Sequence, residues 1–257
     1  DIGQKVIEQA KVILEETERM QDIIHDFTQG IFGTLRLGII PTVAPYLLPL
    51  FLHQFMRQYP DVDLTIDELQ TQPIVDRLIH REIDVGILAS PLNDSRFIEK
   101  PLYLEPFVAY VGRQHRLAGK KKIHVGDLSL SDLWLLKEGH CFRDQILHLC
   151  KPTMEQQKHY SVHLHFEGEN LETLLNLVDK NIGMTLLPFL AAAGLKRNSR
   201  SSAGLIKEFV PPIPTRKISL VYPRSELKKR LIQALEVEIL DAIPGGLRRM
   251  HRHFVVP

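Results

Sequence analysis

Leu35-Arg36-Leu37-Gly38-Ile39-Ile40-Pro41-Thr42 opens the stretch whose reading decides the fold. Leu35, Leu37 and Ile39 alternate with other residues at the period of a strand, and Pro41 stops the run. A helical pattern follows from Tyr46 to Gln58. Leu64-Thr65-Ile66 reads as a second strand, Ile74 to Arg81 as a second helix, and Asp84 to Ala89 as a third strand. This β-α-β-α-β order predicts a parallel sheet with right-handed crossovers.

Further along, Glu105 to Val111 reads as a strand that leaves this unit for another. The second unit takes strands at Trp134 to Lys137, Ser161 to Phe166 and Met184 to Leu187, with Leu205 to Phe209 closing it. Cys141 to Cys150 reads as a helix. Asn170 suits the N-cap of another from Leu171 to Asp179. Lys217 to Val221 reads as a return strand, and Glu226 to Ile239 as a final amphipathic helix. Two α/β units joined by two crossings leave a cleft between them. The sequence shows no internal repeat and no low-complexity segment.

Upstream, Val6, Ala10, Ile13, Thr17, Met20, Ile24 and Phe27 are spaced by 4, 3, 4, 3, 4 and 3 residues, a heptad seam. Charged residues fill the positions between them. This predicts a long helix whose stripe wants a partner, and Gly30 and Gly33 end it. Downstream, Arg248 to His253 form a basic tail, expected to be a solvated terminus. The chain opens inside the helical pattern without an initiator Met and reads as a fragment of a longer protein.

The 257 residues are 44% hydrophobic and 25% charged, the composition of an ordinary globular protein. No apolar run is long enough to span a membrane and no secretory signal opens the chain. Two cysteines are too few for a secreted disulfide scaffold, so a cytoplasmic location is expected. A formal charge of +1 is too balanced for a chain that grips DNA by itself.

Two features carry chemistry. Thr42 and Thr71 each follow a strand and precede a helix, at the strand ends where open α/β sheets bind ligands. N-capping is the expected role of both, and binding can coexist with it. The second feature is Gly139-His140-Cys141-Phe142-Arg143-Asp144, with Cys150 nine residues after Cys141. In a helix that spacing sets the thiols about 13.5 Å apart along the axis, and a disulfide needs Cα atoms within about 7 Å. The two sulfurs could pair only if the segment refolds. A thiolate is the nucleophile, and a helix start favours negative charge. His140 and Arg143 add positive charge or hydrogen bonds, and Asp144 could orient Arg143. Such a cysteine attacks a peroxide O–O bond, and a second thiol then closes a disulfide. Three readings stay open on spacing alone: small buried apolar cysteines, a metal site with His140 and His148, or a redox pair.

These motifs carry a resemblance. Gly38 to Thr42, Pro45-Tyr46-Leu47-Leu48-Pro49, Gly139 to Gln145 with Cys150, Leu171-Glu172-Thr173-Leu174 and Gly183 to Pro188 resemble the peroxide-sensing group of LysR-type transcription regulators. The resemblance implies a two-lobed, periplasmic-binding-protein-like α/β regulatory domain with two crossover strands, preceded by a linker helix. It divides the chain into a dimerising helix at 1–29, subdomain I at 30–104 plus 210–245, subdomain II at 105–209, and a tail at 246–257. It implies that Cys141 reacts with hydrogen peroxide and Cys150 resolves the product as a disulfide. Thr42, Thr71, His140 and Asp144 would line the pocket, Arg143 would support the thiolate, and Arg216 would stabilise the reduced arrangement. Implied partners are a homodimer or homotetramer, promoter DNA through an N-terminal winged helix-turn-helix, RNA polymerase, and a reductant such as glutaredoxin or thioredoxin. No cofactor, metal or membrane is implied. Antioxidant genes would be switched, and the chain would be no enzyme. The rival readings are a LysR-type effector domain holding a metabolite in the cleft, a thiol peroxidase, and a transport-type binding protein. The stretches 151–160 and 197–202 diverge from the family.

Overall fold

Strand β1 (Gly33–Ile39) lies between β2 (Val62–Glu68) and β3 (Val85–Ser90), all three parallel. Helices α1 (Ala44–Gln58) and α2 (Thr71–Ile79) make the crossovers, as the alternation predicts. The computed structural model describes residues 2–7, 9, 10, 13, 17, 30–150, 168–197, 204–248, 254 and 255. Helix α1 starts two residues before Tyr46, because Pro45 sits in its first turn, where a missing N–H costs nothing. The N-cap is Val43, with no side-chain bond to the helix.

The crossing strand is longer than its sequence suggests. β4 runs fifteen residues, Phe97–Val111, not from Glu105. Pro101 and Pro106 hide its first half, since proline removes ladder donors, and the register shifts between Pro101 and Tyr103. Residues Phe97 to Pro106 pair antiparallel with β9 (Ile213–Pro223), while Phe107 to Val111 pair with β7 (Met184–Pro188). Strand β9 also pairs with β3. β4 and β9 are therefore the two strands that pass from one lobe to the other.

The second lobe adds β5 (Lys122–Ile123), β6 (Leu133–Trp134) and β8 (Leu205–Phe209) around β4 and β7. β6 is shorter than the expected Trp134 to Lys137. Beyond it only Leu136 bridges, to Gly168. Helices α3 (Cys141–Leu149), α4 (Leu171–Asp179) and α5 (Phe189–Arg197) cover this sheet. Asn170 caps α4 as expected, its Oδ1 accepting from the Thr173 amide at 3.0 Å. The strand expected at Ser161 to Phe166 lies outside the described residues, as does the divergent stretch 151–160.

Helix α6 (Lys229–Ala242) packs on α1 and begins later than expected. Glu226 stays outside it because its carboxylate accepts from the Leu227 and Lys228 amides. A short helix α7 (Gly245–Arg248) follows, and β10 (Phe254–Val255) lies parallel beside Ile213 and Pro214. This part of the tail is paired, not a free terminus. Of the heptad positions, Val6, Ala10, Ile13 and Thr17 are helical and exposed, and Met20, Ile24 and Phe27 lie outside the described residues. No helix among the described residues is long and apolar enough to cross a membrane.

Two separate cores result. One gathers Leu37, Phe51, Phe55, Ile87, Leu220 and Leu235; the other gathers Phe107, Tyr110, Phe142, Ile146, Leu174 and Leu186. Each fully buried side chain of this size contributes about 1.5–3 kcal/mol, so each lobe has its own stabilising centre.

Candidate functional site

The carboxyl ends of β1 and β2 and the start of α3 meet in a small, tight crevice. Ile40, Pro41, Thr42, Gln70, Thr71, His140 and Cys141 line it. Local sequence explains the closeness. Gly139 holds φ +95°, a left-handed conformation, and a Cβ there would stand 2.5 Å from the Gln70 Oε1. The glycine thus lets the turn before α3 close over Gln70.

Neither threonine caps a helix. Val43 and Gln70 are the N-caps, and Thr71 is already the first residue of α2. The Thr71 Oγ1 is buried without a hydrogen-bond partner. Thr42 instead accepts from a buried arginine: Arg216 Nη1 donates to its Oγ1 at 2.7 Å and Nη2 to its carbonyl at 3.0 Å. The sequence signal for capping failed by one residue in opposite directions: the chain turns through Val43 before α1 starts, whereas α2 has already started at Thr71.

Arg216 is fully buried on β9. Its Nε and Nη2 donate to Glu105 Oε2 at 2.9 and 2.8 Å, across the two crossing strands. The other oxygen, Oε1, accepts from the Leu190 amide in the first turn of α5. The guanidinium also sits 5.2 Å from the Phe142 ring centroid, and Phe142 packs edge-on to Phe107. One arginine therefore touches the first lobe at Thr42, the crossing at Glu105, and the cysteine helix at Phe142. Burial, then the Glu105 charge, pushes the Tyr103 phenol well above its usual range.

Both cysteines are free. Cys141 is the first residue of α3, half-buried, and packs against the first core. Cys150 is its C-cap, 5% exposed, and belongs to the second core. The nine-residue helix between them sets the thiols about 13.5 Å apart along its axis. Burial, with a smaller contribution from Asp132, pushes the Cys150 thiol up to about 11. At neutral pH Cys150 is therefore a protonated thiol. Burial pushes the His140 imidazole below its usual value; Glu169 opposes this and Lys137 adds to it. His140 is then neutral at neutral pH, so it offers hydrogen bonds and not the positive charge expected from the sequence.

The structure brings Thr42, Thr71, His140 and Cys141 together, with Arg216 directly behind Thr42. It does not bring Asp144 there: that side chain is exposed on α3. Arg143 donates to the Leu136 carbonyl at 2.9 Å, which fixes the loop before α3. Among the described residues no group of three His, Cys, Asp or Glu side chains could hold a metal, and His148 is exposed. Sequence reasoning missed Gln70 and Glu105. Gln70 carries no motif. Glu105 was placed in a strand, and a charge inside an apolar crossing strand is the signal that would have marked it.

The LysR substrate binding domain family matches residues 28–242. The hydrogen peroxide-inducible genes activator of Dickeya chrysanthemi is 34% identical over 232 residues, 90% of this chain and 73% of that protein. The DNA-binding transcriptional dual regulator OxyR of Escherichia coli K12 is 32% identical over 236 residues, 91% of this chain and 74% of that one. Among solved structures, the reduced OxyR regulatory domain of Pseudomonas aeruginosa has a TM-score of 0.70 and 31% identity, covering 80% of this chain and 96% of its own. A peroxide-bound cysteine mutant of OxyR from Corynebacterium glutamicum has a TM-score of 0.75 and 28% identity, covering 94% of this chain and 74% of its own. The chain belongs to the LysR substrate-binding-domain family, in the group of OxyR-type activators of hydrogen peroxide-inducible genes.

Proposed function

We propose that this chain senses hydrogen peroxide for a DNA-binding transcription regulator, with Cys141 reacting and Cys150 resolving. One observation carries the reading. Cys141 shares a tight crevice with a buried, unpartnered Thr71 hydroxyl and an Arg216-bound Thr42 hydroxyl, while the second thiol sits in another core.

The Cys141 thiolate attacks one oxygen of the peroxide. The O–O bond breaks, Cys141 becomes a sulfenic acid, and hydroxide leaves and takes up a proton as water. Thr42, Thr71 and neutral His140 supply hydrogen bonds to the oxygens. Cys150 then attacks the sulfenic sulfur, a disulfide forms, and a second water leaves. The pair cannot meet across an intact α3, so the step unwinds it and pulls Phe142 from Arg216. The disulfide holds a second packing, which the linker helix at 1–29 conveys to a winged helix-turn-helix on promoter DNA. Paired helices and regulatory domains make the dimer or tetramer, RNA polymerase reads the outcome, and a thiol reductant such as glutaredoxin or thioredoxin resets it. This is signalling and not turnover. The lobes divide as 30–104 with 210–245 against 105–209, and antioxidant genes are the targets.

Size argues against a metabolite. Small-molecule pockets commonly measure about 300–1,000 Å³. The crevice is far tighter than that: its walls leave essentially no free space for a water-sized sphere, and the Arg216–Glu105 pair stands behind it.

The test is stoichiometric oxidation followed by mass spectrometry. The wild-type chain should lose both thiols to one internal disulfide. Cys150→Ser should stop at a sulfenic acid that dimedone traps on Cys141. Oxidation of Cys150 first, or none faster than free cysteine, would defeat the proposal.

A further inference from the structure

Thr42 has one hydroxyl proton, and its oxygen meets a donor, Arg216 Nη1, at 2.7 Å. An oxygen that accepts from a guanidinium keeps its own proton for another acceptor. Thr42 faces the crevice beside Cys141, so that proton is available to a ligand oxygen there. What makes Thr42 a donor is thus the arginine, and what places the arginine is Glu105.

Glu105 is held at both oxygens. Oε2 accepts twice from Arg216, and Oε1 accepts from the Leu190 amide. Its side chain is 1% exposed, so water cannot substitute for any of these bonds. The carboxylate cannot turn without breaking a bond to β9 or to α5. The guanidinium plane is fixed by two bonds to one Glu105 oxygen and two to Thr42, on adjacent edges that share Nη2. We propose that Glu105 is a positioning residue for peroxide reduction, orienting Arg216 so that the Thr42 hydroxyl donates a hydrogen bond to the departing oxygen. This rests on the peroxide reading above. Glu105 never touches peroxide. It acts through two bonds, and because it also binds α5, a shift of that helix disturbs the Thr42 donor.

The experiment compares two reactions of the same thiol in a Cys150→Ser background, where only Cys141 reacts. Peroxide needs a donor for its departing oxygen; iodoacetamide, whose leaving group is iodide, does not. Glu105→Gln should slow the peroxide reaction at least about tenfold, less than the roughly 10²–10³-fold cost of deleting such a donor outright. Iodoacetamide should react within about threefold of the parent rate, since the thiol and its surroundings persist. A loosened structure would change both rates together. Thr42→Val should lose the peroxide rate likewise, and adding Glu105→Gln to it should cost little more, because the two act on one hydrogen bond.

Removing one partner of a buried ion pair can unfold a domain, so Glu105→Gln/Arg216→Met serves as a second variant with no orphaned charge. It should also lose peroxide reactivity selectively. Parent-like peroxide rates in either variant, equal losses with both reagents, or losses from Thr42→Val and Glu105→Gln that multiply would overturn the assignment. A parent chain no faster with peroxide than free cysteine would sink the sensing function itself, and the assignment would fall with it. A fast parent with unaffected variants would sink only the role of Glu105.

Discussion

Thr71 buries a hydroxyl oxygen that no protein group meets. Such an atom costs about 1–3 kcal/mol, and a peroxide oxygen would offset that cost. Thr71→Val should therefore leave the chemical-denaturation midpoint unchanged or raised, while peroxide oxidation of Cys141 slows about tenfold. An unfolding free energy that falls by more than about 1 kcal/mol would mean the hydroxyl has a structural partner. His140 gives a pH test with a definite sign. Burial lowers its folded value, so its share of stability is present above about pH 6.5 and is lost as pH falls below that. Urea melts should show a drop in stability on acidification that His140→Gln reduces. Cys150 has the opposite sign. Its folded value is raised from 9.0 to about 11, so its contribution persists below pH 9.0 and disappears as pH climbs toward 11. Near neutral pH, iodoacetamide should label Cys141 in the native protein and reach Cys150 only after denaturation.

At the scale of elements, α3 is the part that must be both formed and breakable. It is nine residues long, and helices this short are marginal in water by themselves. Phe142 and Ile146 anchor it in the second core, and Arg216 lies across the Phe142 ring. Phe142→Ala should cost about 3–5 kcal/mol and speed closure of the disulfide once Cys141 is oxidised, because the helix gives way sooner. Stopped-flow thiol loss against urea stability would check this, and a slower closure would contradict it. Elements with regular alternation or spacing were readable in the sequence: β1, β3, α3, and α4 with its Asn170 cap. Those shaped by tertiary contacts were not. Two prolines disguised the first half of β4, and Glu226 accepts two amides where a helical residue was expected. In the site, Thr42, Thr71, His140 and Cys141 were legible because each sits beside a strand end or helix start. Gln70 and Glu105 were not, since their importance comes from what the fold brings to them from far along the chain.

For the whole molecule, the decisive arrangement is two thiols assigned to two cores, with one buried arginine touching both lobes and the helix between the thiols. The reduced state keeps Cys141 against the first core and Cys150 inside the second. The ion pair of Arg216 and Glu105 has little net value against solvent, but losing one partner costs about 3–5 kcal/mol. On the proposed function, its role is to make the reduced packing specific rather than merely stable. Two packings that differ by a few kcal/mol can be exchanged by one covalent event. The most direct measurement is amide hydrogen exchange across 141–150 before and after one equivalent of peroxide, on a sample whose disulfide is confirmed by mass spectrometry. The account requires protected amides in the reduced chain, a bond between Cys141 and Cys150 after oxidation, and lost protection throughout that segment. A bonded sample with the helix still protected, or a peroxide-treated sample in which the sulfurs never join, would contradict it.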